Sequence, residues 1–469
     1  MPGTRAAASI AGMLYTEFAA PAQLSAAITG DIVSPADAEW DLARRAWNLA
    51  ADQRPALVAL PADAADVVAI VRFARANGYK VAPQGTGHNA TAIASLEDTI
   101  LVSTQRMRGV EIDAEAQTAR VDAGALWLEV TEASTPHGLF PLSGSSPDVG
   151  VVGYTLGGGL SWLARKHGLA ANHVTAIEVV TPDGELVRAT AEDHSELFWA
   201  LRGGGGNFGV VTAMEFRLFP YGEVYAGMFL FPYERAGEVM RAWRDWTLTA
   251  PEEVTTSMRV MHIPPLPELP EFVRGRSVAV IDGAVIGDAE DGARVLAALR
   301  ELGPELDTWA PCPPIALSRI HMDPEEPMPA ASASANLGPI DDAALDRILQ
   351  HAAPGGPLLF AELRQLGGAL ARVPEGSGAA ESVRGDYLYF VAGLAADAAM
   401  QQAVLRAGER AVMALSAYDN GSAYLNFVEE PADASAFYSD AAYARLQAIR
   451  AAVDPHGLMV GNHPIRGVA

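Results

Sequence analysis

Three stretches crowded with glycine are the residues best placed to do chemistry: Gly85-Thr86-Gly87-His88-Asn89, Gly157-Gly158-Gly159 and Gly203-Gly204-Gly205-Gly206-Asn207-Phe208-Gly209. Lacking a Cβ, glycine lets backbone N–H groups close on an oxyanion and form the concave nests that hold phosphate. Three such stretches predict a long ligand whose phosphates lie across loops. Gly157 to Gly159 are expected to open a helix, Leu160 to Lys166, whose first N–H groups would face an anion. Two of the stretches mimic the dinucleotide fingerprint, but a Rossmann loop must follow a strand and open a helix. Gly204 to Gly209 instead run from a helix (Ser195 to Leu201) into a strand (Val210 to Phe216). Gly85 to Ala90 are followed within about ten residues by another strand, too soon for a crossover helix. As nicotinamide sites both fail.

The elements that must carry these loops follow from periodicity. Val67, Val68, Val71 and Ala74 recur at helical spacing and predict a helix ending near Asn77-Gly78. Strands are expected at Lys80 to Pro83, Thr99 to Ser103 and Ala119 to Ala123, and a helix at Leu126 to Ser134. Ala176 to Val180 and Glu185 to Ala189 form a hairpin around Asp183-Gly184. Beyond Pro220 the strands lengthen, at Tyr225 to Phe231, Ser277 to Ile281, Leu358 to Leu363 and Tyr387 to Val391. Helices separate them, at Ala236 to Thr247, Glu290 to Leu302, Asp341 to His351 and Ala399 to Leu415. That order predicts an α+β class, an antiparallel sheet with helices on one face. Proline-rich segments, Pro264 to Pro270 and Pro324 to Pro329, flank it.

Composition narrows the partners. Hydrophobic residues are 50% of the 469, charged residues only 19%, and the formal net charge is −24. Phosphate backbones demand clustered Lys and Arg, so nucleic acid is not an expected partner, nor is an anionic membrane. The single cysteine, Cys312, stands between two prolines and cannot form an internal disulfide. No signal peptide is read at the N-terminus, and no apolar run reaches membrane-spanning length. A cytoplasmic protein is expected, with no metal site and with the oligomeric state left open.

Taken together, the ordered motifs Pro83-Gln84-Gly85-Thr86-Gly87-His88, Pro147-Asp148-Val149-Gly150 continuing to Gly157-Gly158-Gly159, Leu197-Phe198-Trp199-Ala200-Leu201-Arg202 running through the glycines to Val211, Tyr424-Leu425-Asn426-Phe427, Arg445-Leu446 and Asp454-Pro455 resemble a known family. It is that of FAD-linked oxidases with a vanillyl-alcohol-oxidase or p-cresol-methylhydroxylase (PCMH) type FAD domain, in its berberine-bridge-enzyme-like branch. The resemblance implies an N-terminal segment (1–34), a two-lobed, non-Rossmann FAD-binding domain (35–220), a substrate domain (221–420) and a C-terminal segment returning to the FAD domain (421–469). It implies FAD bonded through the flavin 8α-methyl carbon to His88. Many relatives add a cysteinyl link before the Pro-x-Val-Gly motif; that position here is Ser146, so the link is expected to be histidyl only. Gln84, Gly85, Thr86, Gly87, Asn89, Asp148, Val149, Gly150, Gly153, Gly157, Gly158, Gly159, Gly209, Val210, Val211, Asn426 and Asn462 are the further residues expected at the cofactor. Relatives with valine where Val149 stands tend to use oxygen. The implied activity is therefore transfer of a hydride from a small alcohol, amine or phenol to flavin N5, with O2 reduced to H2O2.

One departure complicates that activity. The family's tyrosine base falls on Phe427, which has no proton to exchange, so a dehydrogenase with another acceptor, or a flavoprotein with altered or lost activity, is the alternative. Tyr424 survives, but on a strand it would face away from Phe427. Substitutes are sought on the substrate sheet: Arg364, Tyr387, Tyr389 and His321. Arg364 could favour an ionised phenol nearby, although arginine itself stays protonated and is a poor base.

Overall fold

The computed structural model describes residues 22–93, 95–267, 269 and 271–467. The N-terminal segment expected at 1–34 therefore falls largely outside the described residues, as do parts of the proline-rich run 264–270.

Three sheets organise the chain. Strands β1 (Asp31–Val33), β2 (Leu57–Leu60), β3 (Lys80–Gln84) and β4 (Thr99–Ser103) pair in the order β1-β2-β4-β3, with β2, β4 and β3 parallel. The helix Ala64–Asn77 crosses from β2 to β3; Asp63 caps it by accepting from the amides of Ala65 and Asp66, and Gly78 ends it at φ 76°. Next come β5 (Val110–Asp113), β6 (Thr118–Asp122), β7 (Val174–Val180), β8 (Leu186–Ala189) and β9 (Val210–Arg217), an antiparallel sheet ordered β5-β6-β9-β7-β8. The predicted hairpin is its β7–β8 edge.

The third sheet is antiparallel and has eight strands: β10 (Val224–Pro232), β11 (Val254–His262), β12 (Ser277–Val285), β13 (Leu306–Asp307), β14 (Ala310–Cys312), β15 (Ala330–Leu337), β16 (Phe360–Gln365) and β17 (Tyr387–Leu394). Its order is β13-β10-β12-β11-β16-β17-β15, with β14 also on β10. Alternation along the strands separates two faces. One face, carrying Phe229, Phe231, Met258, Val260, Ile281 and Leu363, is apolar and packs under the helices Ala236–Thr247, Asp342–His351 and Ala398–Ala414. The other face carries charged groups and looks towards the glycine loops. The chain is thus an α+β protein with the helices of this sheet on one side, as its periodicity predicts.

Several elements differ from expectation. Gly157 to Gly159 do not open a helix: they follow one (Val151–Leu156), and Gly158 and Gly159 take φ of 115° and 82°, which ends the helical path. Helix resumes only at Ala164–His167. The helix expected at Glu290 to Leu302 is two, Ala289–Val295 and Ala297–Arg300, broken at Leu296. Strands β11 and β15 escape the sequence reading; β15 is Ala-Ala-Ser-Ala-Ser-Ala-Asn-Leu, poor in the branched and aromatic residues that mark strands. The C-terminal segment returns to the first sheet, where Val81 N–H donates to Leu458 O and Val460 N–H to Val81 O. No helix among the described residues is long and apolar enough to cross a membrane.

Candidate active site

A cavity of about 1070 Å³ lies between the glycine loops and the charged face of the third sheet. Strand β3 delivers the first loop to it. Gly87, at φ 81°, presses so close to Ala46 that a Cβ would stand 2.8 Å from the alanine methyl. Carbonyls of this loop are used: Trp47 N–H donates to Thr86 O at 2.8 Å and Asn48 N–H to Gly87 O at 3.4 Å. Its amides are not. Among the described residues, the N–H groups of Gly85, Thr86, Gly87, His88 and Asn89 find no protein acceptor. The loop is partly buried and lines the cavity, and a row of amides without protein acceptors is what an anionic ligand would satisfy.

His88 stands in this loop, stacked on Trp47 with ring centroids 4.2 Å apart. Its Nδ1 is 2.7 Å from Thr86 Oγ1. Nε2 is buried without a hydrogen bond and lies 3.4 Å from Asp148 Oδ2. Burial opposes ionisation of Asp148, but His88 and the 2.5 Å hydrogen bond from Ser146 Oγ outweigh it and hold the carboxyl below its usual range. Gln84 Oε1 and Asn89 Oδ1 are likewise buried and unpartnered. At Gly85 and Gly153 a Cβ would meet nothing within 4 Å, so both backbones face open space.

The cavity brings together Gln84 to Asn89, Ser146, Val149, Gly150, Gly153, Gly157, Gly209, Val211, Asn426 and Asn462. Four expected cofactor residues do not line it. Asp148 acts from behind His88. Gly158 packs under the Tyr424 ring and Gly159 against Tyr154 and Ala170. Val210 points into the core of the first sheet, since alternation along β9 turns it away from Val211.

Across the cavity, a network of ionic groups sits on the third sheet. In register across the strands stand Asp282, Ser257 and Arg364, then Arg259 and Glu362 two residues along. Asp282 is fully buried; it accepts from Ser257 Oγ and Arg259 Nη2, each at 2.5 Å, and its Oδ2 lies 2.8 Å from His321 Nδ1. His321 Nε2 faces Arg364 Nη2 at 3.1 Å, Glu362 Oε1 at 3.6 Å and Asp323 Oδ1 at 3.9 Å. Arg364 Nε donates to Glu362 at 2.5 Å. Three carboxylates therefore face two guanidinium groups, and one proton on His321 brings the set to neutrality. Burial and Arg259 oppose that proton; Asp282, Asp323 and Glu362 outweigh them and hold the imidazole above its ordinary value of 6.5. Neutral, the ring accepts from Arg364; protonated, it turns a donor towards Glu362. The network accommodates both states, as a proton acceptor requires.

The other residues expected to replace the missing base fall elsewhere. Tyr387 and Tyr389 do not face the cavity. They lie on the helix-covered face of β17, where Tyr387 Oη is 2.6 Å from Thr247 Oγ1 and the Tyr389 hydroxyl is buried without a partner. Alternation explains it: Leu388 and Phe390, between and beyond them, take the other face. Tyr424 does line the cavity. It is not on the far side from Phe427, however, because Leu425–Phe427 is a turn of 3-10 helix and residues three apart in such a turn eclipse. Their ring centroids are 5.8 Å apart. Burial pushes the Tyr424 hydroxyl above its usual range and so keeps it protonated. Phe427 holds the Arg364 guanidinium 5.0 Å above its ring. Cys312 does not line the cavity, and burial raises its thiol to about 11. The sequence reading missed Trp47, Arg259, Asp282 and Glu362, of which only Glu362 had a signal: it is two residues from Arg364 on one strand, hence on the same face.

Comparison with known proteins places this geometry. Residues 55–190 match the model of an FAD binding domain family. The chain is 33% identical over 192 residues to (R)-6-hydroxynicotine oxidase of Paenarthrobacter nicotinovorans, a match covering 41% of this chain and 42% of that protein. It is 32% identical over 232 residues to a xylooligosaccharide oxidase of Thermothelomyces thermophilus, covering 48% and 46%. These matches span about half the length of the relatives or less. Solved structures extend the likeness in fold to nearly the whole chain. Physcomitrella patens BBE-like 1 superposes with a TM-score of 0.83 at 20% identity, covering 96% of this chain and 99% of that one. The 6-hydroxy-D-nicotine oxidase of Arthrobacter nicotinovorans gives 0.80 at 23% identity, covering 92% and 96%. The chain is thus similar to FAD-linked oxidoreductases over about half its length, carries an FAD binding domain at residues 55–190 and has the fold of the berberine-bridge-enzyme-like, PCMH-type flavoproteins.

Proposed function

We propose that the protein is an FAD-dependent oxidase of a small alcohol, amine or phenol, holding its flavin through His88 alone. The observation that carries this reading is a single cavity bounded by unsatisfied loop amides and His88 on one side and by the His321–Asp282 pair on the other. Bound there, FAD supplies the two-electron acceptor and passes the electrons to O2, yielding H2O2. The chain's own residues do the rest.

The loop amides from Gly85 to Asn89 neutralise phosphate charge. With Nδ1 engaged by Thr86, Nε2 is the His88 nitrogen that would hold the flavin, and the ionised Asp148 stands where it could take the Nε2 proton. Ser146 occupies the place of a second, cysteinyl link, and its hydroxyl is committed to Asp148. On the sheet side, neutral His321 accepts the substrate proton at Nε2, oriented by Asp282 at Nδ1, and Arg364 steadies developing negative charge on a substrate oxygen. Val149 at the cavity wall supports oxygen as the acceptor. Phe427 in the usual base position favours a second reading, a dehydrogenase with another acceptor.

A screen of alcohols, amines and phenols for peroxide release by the purified protein tests the proposal. Stoichiometric peroxide with at least one class is the expected result. Slow reoxidation of the reduced protein by air-saturated buffer in a stopped-flow instrument would overturn the oxidase reading in favour of the dehydrogenase.

A further inference from the structure

The charged face of the third sheet stops abruptly. Its strand register sorts the cavity-facing side chains into rows. Met228, Asp282, Ser257 and Arg364 form one row, and Leu230, Val280, Arg259 and Glu362 the next. The third row is apolar where it meets the cavity: Val278, Met261, Phe360 and Ala392. Towards the β10 edge the first two rows also turn apolar, at Met228, Leu230 and Val280. The cavity follows this apolar corner, and Ile263 and Val273 close over it. From Asp282 to Val278 is four residues of β12, roughly 14 Å at about 3.4 Å per residue.

We infer that this corner is a binding annex for an apolar tail, so that the substrate is an amphiphile: an oxidisable group beside His321 and an alkyl or aryl chain running along Val280 and Val278. The inference rests on the oxidase reading for the reacting end only. A saccharide is a poor occupant, because its hydroxyls would meet Val278, Val280, Met261 and Leu230, none of which offers a hydrogen-bonding side chain, and unpaired polar groups there are costly. Xylooligosaccharides, which the Thermothelomyces relative is named for, are therefore not expected to bind.

Two measurements on the flavin-loaded protein test the annex separately from turnover. The first is the Kd of non-oxidisable 4-alkylbenzamides, methyl through octyl, read from perturbation of the flavin absorbance. The expected result is a Kd that falls roughly fourfold for each methylene buried. Val280→Asn and Met228→Trp should each flatten that dependence; Met228 is only half-buried, so the second variant carries the test if the first fails to fold. A flat series in the unaltered protein, an unchanged slope in both variants, or tighter binding of xylotriose than of the octyl compound would overturn the annex. The second measurement is kcat/KM for the matching 4-alkylbenzyl alcohols. Turnover with a flat Kd series sinks the annex and spares the oxidase reading. A steep Kd series without flavin reduction does the reverse.

Discussion

In the proposed reaction, His321 is the side chain on which the chemistry at the sheet turns. Its basic form is the working one, and the surrounding carboxylates hold its protonation above the ordinary 6.5. Activity should therefore be low at acidic pH and rise as pH passes through that raised value. The same proton has a consequence for stability. Because the folded state binds it more tightly than the unfolded chain, it stabilises the fold below the unfolded value, and that contribution is lost as pH rises through the folded value. His321→Gln should lower kcat by about 10²- to 10⁴-fold and remove both pH dependences while the flavin stays bound. Retained activity with an unchanged pH profile would show that another group takes the proton. His321 and Arg364 were legible in the sequence as polar residues of the substrate region. Asp282 was not, since the strand read at Ser277 to Ile281 ends one residue short of it, and without strand register nothing pairs it with His321.

The two elements that meet over the flavin side are the end of the helix Val151–Leu156 and the 3-10 turn Leu425–Phe427. They meet at Gly157, where a Cβ would come 1.8 Å from Asn426 Oδ1 and 3.1 Å from a Leu425 methyl. Asn426 Nδ2 also donates to Tyr154 O at 2.9 Å, tying the turn to the helix. Gly157→Ala must push the turn outward. We expect it to cost about 1–3 kcal/mol in chemical unfolding, as overpacking typically does, and to lower the fraction of purified protein that carries flavin. An unfolding midpoint unchanged from wild type would mean that the contact is not held in solution. Regular elements with clear periodicity were readable: the end of the helix Ala64–Asn77 and both ends of the helix Ala236–Thr247 fall where the spacing puts them. The Gly157 and Tyr424 segments were misread because their geometry comes from positive φ and from packing against distant chain, neither of which leaves a periodic trace.

The cavity depends on how the flavin-side loops are fixed against the third sheet, and Arg165 spans the two. Buried, it donates to Leu366 O at 2.9 Å, Pro251 O at 2.9 Å and Val254 O at 2.7 Å. Desolvation lowers its guanidinium, yet four carbonyls, Ala250 O at 3.4 Å among them, are its partners. Arg165→Ala strands those carbonyls, and with charge-assisted bonds worth about 1.5–3 kcal/mol each, a loss of roughly 3 kcal/mol or more in urea unfolding is expected. A loss below about 0.5 kcal/mol, the range of neutral surface changes, would count against its role as a clamp. Held this way, the imidazole of His88 confronts the substrate face across a single chamber, and everything proposed for the protein follows from a flavin fastened to it. Trypsin should release that residue in the fragment Val81–Arg106, so mass spectrometry of the digested, acid-denatured protein is decisive. The predicted result is FAD mass on Val81–Arg106, none on the fragment containing Cys312, and its disappearance in His88→Ala. An unmodified Val81–Arg106 fragment, with flavin freed into the supernatant, would contradict it.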